Sequence, residues 1–249
     1  AVLLATVIGG QLHAYVGWQA NFVLLALVGA LLFATAWFGM PRARSAGGGI
    51  EGRWIRAMGV PSARLMRERA VVLNTLILSM TAGGFYAYLA GAPLVLRDYG
   101  IGPAEVGFYI MVPPLSYIVG NYLASRIAHR IGEPRMAAAG QAAAVLGIVL
   151  MLALAASGLR SGWAFVLPLI LLGIGHGLLI PPALAATVGA IPALAGGAAA
   201  LAGVVQQVVG AFGGVAAGWV IHGGAVGIGA LMLAFTLAAV GAQGMIRRG

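Results

Sequence analysis

A chain of 249 residues that is 61% hydrophobic and only 8% charged cannot cover itself with a water-facing surface, because a soluble domain carries about 25% charged residues. The net charge is +9 and all 14 basic residues are arginine, but they fall in the gaps between apolar runs, not in a solvated patch, which argues against nucleic acid as a partner. Cysteine is absent, so disulfides, thiolate catalysis and cysteine-based metal sites are excluded.

At about 1.5 Å per residue, a hydrocarbon core of roughly 30 Å needs about 20 apolar residues in helical form. The opening residues 1–14 have no basic n-region and read as the second half of a helix rather than as a signal peptide. Spanning helices are then expected near 20–40, 70–96, 104–128, 136–157, 162–188, 194–220 and 225–246. The loop at 41–69 opens on Pro41 and a flexible Gly-rich joint at 46–49. Its remainder mixes Trp54, Ile55, Met58, Leu65 and Met66 with arginines, as an amphipathic helix at a membrane surface would.

Arginine placement predicts the orientation. The segments 41–69 and 126–135 and the C-terminus carry all the arginines except Arg97 and Arg160, so the positive-inside rule assigns those three to the cytoplasm. Seven helices then alternate without conflict. The helix at 70–96 also has an echo. Ile118-Val-Gly-Asn-Tyr122 aligns with Val208-Val-Gly-Ala-Phe212 at an offset of 90 residues, and the Gly/Pro-interrupted runs 70–96 and 162–188 align at about the same shift. An odd number of helices per repeat inverts the second copy, a pattern that points to transporters.

No carboxylate falls mid-membrane: Glu51, Glu68, Asp98, Glu105 and Glu133 all lie in loops or at helix ends. His176 is the titratable residue deep in a helix. Either it accepts a proton or bonds substrate, or it is a neutral histidine satisfied by a neighbouring helix, the commoner arrangement. Gln206 and Gln207 lie about 100° apart on their helix, so one of them is expected to face a path. Asn74, Thr81 and Tyr88 recur every seven residues, with Phe85 on the same stripe. That face suits either a cavity for amphiphilic compounds or helix–helix contact. Pro113-Pro114 and Pro181-Pro182 should kink their helices.

The segments GWQANF at 17–22, FYAYLAGAPLVL at 85–96, GNYLASR at 120–126, GHGLLIPP at 175–182 and AGGAAAL at 195–201, with Gly203 and Gln206, resemble the major facilitator superfamily, and within it the bicyclomycin/chloramphenicol-resistance type of drug:proton antiporter. The resemblance implies an all-α membrane protein: a C-terminal six-helix half at 70–249, preceded by the end of an N-terminal half at 1–40 (part of helix 5, and helix 6) and a cytoplasmic linker with an interfacial helix at 41–69. It implies proton-coupled efflux of small hydrophobic or amphiphilic compounds across a bacterial inner membrane by alternating access. No cofactor or metal is expected. The substrate path would include Asn74, Thr81, Phe85, Tyr88, His176 and Gln206. Gly9, Gly10, Gly120, Arg126, Arg130, Pro181 and Pro182 would serve packing or gating. Ser125 stands where the family often has Asp, and Ala5-Thr6 replace its helix-5 Gly-Pro. The family's proton-coupling carboxylates lie in its N-terminal half, which the reading places outside this chain. Two rival readings are a non-transporting truncated membrane protein and a polytopic membrane enzyme, the latter without any HExxH or GxSxG pattern to support it.

Overall fold

The computed structural model describes Leu12, Gly17 and residues 19–39 and 64–247, and among these every regular element is helical. The helices are α1 (Gln19–Gly39), α2 (Arg69–Asp98), α3 (Pro103–Ile110), α4 (Val112–Ile131), α5 (Glu133–Ala156), α6 (Gly162–Val166), α7 (Leu169–Gly189), α8 (Ala195–Val220) and α9 (Gly224–Arg247). Five continuous apolar stretches are long enough to cross a membrane. The last of these, Pro192–Ile246, holds two helices, because the chain turns at Ile221–Gly223 and again at Gly224, where φ is +55°. The partial helix expected at 1–14, apart from Leu12, and the linker with its interfacial helix expected at 41–69, up to residue 63, lie outside the described residues; 64–67 are helical.

Helix α1 is apolar round most of its circumference and largely exposed, with Leu25 67% and Phe38 86% exposed. Such a surface needs lipid or further protein against it. The other helices form one bundle with an exchanged pairing. Helix α2 packs mainly on α8 and α9, while α7 packs mainly on α4 and α5. Directions follow from the contacts. Val71 clusters with Ala198, and Gly83 meets Gly213, so α8 runs parallel to α2. Gly91 meets Ile228, and Arg69 donates to the Met245 carbonyl at 2.9 Å, so α9 runs antiparallel. Gly173 meets Pro113 and Ser116, whereas Gly177 meets Asn121, making α4 parallel to α7. Gly147 lies at Pro168 and Gly140 at Leu178, so α5 is antiparallel. Each triplet therefore lends its first helix to the second and third helices of the other. The 90-residue echo reappears in packing: Gly120 meets α7 and Gly210 meets α2.

Close approach explains why those positions are glycine. A Cβ on Gly177 would lie 2.6 Å from three backbone atoms of α4, and one on Gly120 would collide with the Ile174 carbonyl of α7. Lipid is as apolar as any side chain, so membrane helices associate through such tight van der Waals contact rather than by escaping water. Larger side chains fill the space to either side. Tyr88, Ile148, Met151, Leu169, Ile228 and Met232 form the main cluster, and Leu73, Ile77, Leu179 and Ala183 a second one nearer the arginine-rich end.

The prolines behave unequally. Pro113-Pro114 open α4 just after a break at Met111, which uses their missing donors where a helix start has no bond to lose. Helix α7 instead runs unbroken through Pro181-Pro182, and its span is interrupted at Leu167-Pro168. Neighbouring helices can hold a proline-containing span together in this way.

Replacing Gly177 by Ala should cost about 1–3 kcal/mol by overpacking, seen as a lower thermal midpoint of the detergent-purified protein. Gly218→Ala, where no atom lies within 4 Å of the added carbon, should leave the midpoint unchanged or raise it slightly.

Candidate functional site

A cavity of about 390 Å³ lies between α2, α4, α7 and α8. Helix α2 contributes Leu78, Thr81, Ala82, Phe85 and Tyr86; α4 contributes Pro113, Pro114, Tyr117 and Ile118; α7 contributes Leu172, Gly173, His176 and Ile180; and α8 contributes Gln206. The volume is in the range of drug-sized sites, and the lining has their usual character, mostly apolar with a few polar groups.

Each polar group is placed by identifiable packing. His176 sits between Gly175, which is pressed on α5 at Gly140 and Ala144, and Gly177, which is pressed on α4 at Asn121. Both flanking positions are taken by neighbouring backbone, so the imidazole turns to the remaining side, into the cavity. It is buried and forms part of the cavity wall. Thr81 donates its hydroxyl to the Ile77 carbonyl at 2.8 Å and keeps its lone pairs for another donor. Gln206 donates to the Ala202 carbonyl at 3.2 Å while lining the wall. Its neighbour Gln207 accepts the Tyr86 hydroxyl at 3.3 Å, which ties α2 to α8.

Tyr86 and Tyr117 are lining residues that the seven-residue stripe misses. Tyr86 lies about 100° round the helix from Phe85, and the cavity is wide enough to meet both. The signal for Tyr86 stands on α8: a Cβ on Gly210 would come within 2.6 Å of the Tyr86 ring, so Gly210 is the slot in which the ring rests. Phe85 and Tyr86 meet edge to face at 6.3 Å.

Two of the six residues expected on the path lie elsewhere. Tyr88 is on the stripe but two turns beyond Thr81, where α2 faces α3 and α6 rather than the cavity. It is fully buried, stacks on Phe165 at 6.2 Å and donates to the Ile110 carbonyl at 3.4 Å. Asn74 is two turns the other way. It donates to the Ala70 carbonyl at 2.8 Å and lines a separate 140 Å³ hollow with Glu133, Pro182 and Gln243. Thr81, Phe85, His176 and Gln206 share the main cavity.

The remaining expectations scatter. Gly120 packs on α7. The Arg126 guanidinium lies over the Tyr122 ring at 5.3 Å, and Arg130 is exposed in the last turn of α4. Pro181 sits within α7 beside Ile180 and Pro182. Gly9 and Gly10 lie outside the described residues. The main cavity has no carboxylate in its lining, and the described residues contain no cluster of three or more His, Cys, Asp or Glu able to hold a metal. What the wall offers is aromatic faces, hydroxyls, an amide and an imidazole: groups that bind an uncharged or weakly polar compound without a fixed counter-ion.

Comparison with known proteins agrees with this architecture. Residues 1–214 match the family model described as Major Facilitator Superfamily. The chain is 27% identical to a Haemophilus influenzae protein named "Bicyclomycin resistance protein homolog" over 224 residues, 85% of this chain and 53% of that protein. It is also 27% identical over 152 residues to the Yersinia pestis "Multidrug transporter MdfA", 60% of this chain and 36% of that protein. The chain thus spans about half the length of the first of these relatives, and less of the second. Six spans paired by exchange round a cavity, matched over most of their length by one family model, lead to one assignment: the chain belongs to the Major Facilitator Superfamily, a family of membrane transporters rather than enzymes.

Proposed function

We propose that this chain is the C-terminal portion of an efflux transporter that moves small hydrophobic or amphiphilic compounds across the bacterial inner membrane, coupled to protons by alternating access. Residues 70–249 form the six-helix half, 1–40 the end of the N-terminal half, and 41–69 the cytoplasmic linker between them. The observation that carries the reading is the 390 Å³ cavity with aromatic faces and neutral hydrogen-bonding groups from four helices. The printed names of the two relatives, one a resistance protein homolog and one a multidrug transporter, support the same substrate class. The lining carries no carboxylate, so the coupling proton is assigned to a group on the partner half, with His176 supplying a hydrogen bond to substrate.

The test is drug tolerance of an efflux-deficient bacterium expressing the full-length transporter. Gln206→Ala and Phe85→Ala should change the tolerance profile at least several-fold for some compounds while leaving the amount of membrane protein unchanged. Profiles identical to the parent for both variants would remove the cavity from the path. Tyr88→Ala should act differently. Truncating a fully buried aromatic costs about 3–5 kcal/mol, so this variant should lower the folded fraction and depress tolerance to all compounds alike.

Orientation has its own check, helped by the absence of cysteine from these 249 residues, with any cysteine elsewhere in the full-length protein first replaced by serine. Cysteine introduced at Ser157 should react with a membrane-impermeant reagent added to intact cells, and cysteine introduced at His129 should not. The reverse pattern would invert the topology.

A further inference from the structure

Arg97 and Arg160, the two arginines that stand apart from the cytoplasmic set, are distant in sequence yet line one hollow of about 670 Å³ at the arginine-poor end of the bundle. The hollow is formed where α2 and α5 end and α9 begins. His222 lines it too, and Asp98 is the only acid in its lining. Tyr99 completes the polar rim. Burial pushes its phenol above the ordinary value, with Arg160 pulling it down and Asp98 pushing it up, so both charges act on the same spot. The opposite wall is apolar, made by Leu94, Val95, Ala155, Ile221 and Val226.

Three features make this more than a solvated charge pair. The Arg97–Asp98 contact is long, at 3.7 Å, and its side chains are 74% and 57% exposed. Such a pair contributes about 0–1 kcal/mol, so Arg97 is free to exchange Asp98 for a better acceptor. The space is open, since a Cβ on Gly158, Gly223 or Gly224 would meet nothing within 4 Å. The first turn of α9, which lines the hollow at Ala225 and Val226, contains no acidic residue, so the partial positive charge of that helix start is not cancelled locally.

We propose that this hollow is a headgroup site for an anionic phospholipid. The phosphodiester is held between Arg97 and Arg160 with His222 as a third donor, and the start of an acyl chain lies on the Leu94 and Val226 wall. Arginine suits phosphate because its planar fork gives two parallel donors. The position at the helix ends is the level at which lipid phosphates lie, and an apolar wall beside a cationic rim fits an amphiphile better than a free anion. The site is separate from the transport cavity and does not depend on what that cavity carries.

The experiment uses the full-length transporter in detergent, with an environment-sensitive fluorophore on a single cysteine at Ser157, next to Gly158 of the rim. A matched label at His129 reports the opposite end. The probes are phosphatidylglycerol and phosphatidylcholine of the same acyl chains, and inorganic phosphate alone. The Ser157 label should saturate with phosphatidylglycerol at a concentration at least several-fold below that needed for phosphatidylcholine. Arg97→Gln with Arg160→Gln should raise the phosphatidylglycerol requirement roughly thirtyfold, the equivalent of about 1 kcal/mol for each arginine near an anionic membrane surface. Asp98→Asn should lower it about two- to threefold, and the His129 label should respond to neither change. All these side chains are exposed, so folding is not at stake, and an unchanged His129 signal verifies this. Equal titrations for the two lipids, or no effect of the double substitution, would overturn the proposal. Saturation of the Ser157 signal by millimolar inorganic phosphate would also overturn it, in favour of a free-anion site.

Discussion

The whole arrangement rests on backbone meeting backbone. Gly83 of α2 against Gly213 of α8, and Gly120 of α4 against Ile174 and Gly177 of α7, bring each pair of helices closer than any side chain at those positions would allow. With no water to escape from, the bundle is held by the number of atoms in contact, and contact is densest where the side chain is smallest. From these two close approaches the positions of the third helices follow, and so does the width of the space left between the pairs.

The cavity is the complement of that packing. The glycines that let α7 lie on α4 and α5 are the neighbours of His176, and the glycine that admits the Tyr86 ring is on the helix that presents Gln206 and Gln207. Structural and site-forming residues therefore alternate along the same turns. A substitution aimed at one class reaches the other through a single residue step.

Much of the fold was legible because charges and turn-forming Gly and Pro residues stop a span abruptly. The helices near 70–96, 162–188 and 194–220 end within two residues of their expected limits, each at a run of polar, charged or turn-forming residues. Helix α5 begins at Glu133, three residues before the expected 136, because a first turn accepts Glu and Pro although hydropathy does not count them. The cavity was half legible. A seven-residue stripe names a face but not a height. Thr81 and Phe85 share the cavity, while Asn74 and Tyr88 meet different neighbours above and below. Tyr86 was hidden for the opposite reason: it is off the stripe, and only the partner glycine on α8, more than a hundred residues later, explains its place. The echo between the two triplets was visible as a short motif. Its consequence, the exchange of first helices, appears only in three dimensions.

That exchange has a consequence for how the protein is made. The principal partners of α2 are α8 and α9, which leave the ribosome after the other helices of the bundle, and the Arg69 bond to the Met245 carbonyl ties the start of α2 to the end of α9. At about 5–20 residues per second, α2 waits on the order of ten seconds in the membrane before its own interface arrives. During that interval its face must be occupied by something else: lipid, the insertion machinery or the helices already made. The bundle is assembled like a ring whose first segment is seated last, and its biogenesis is most exposed to error at α2.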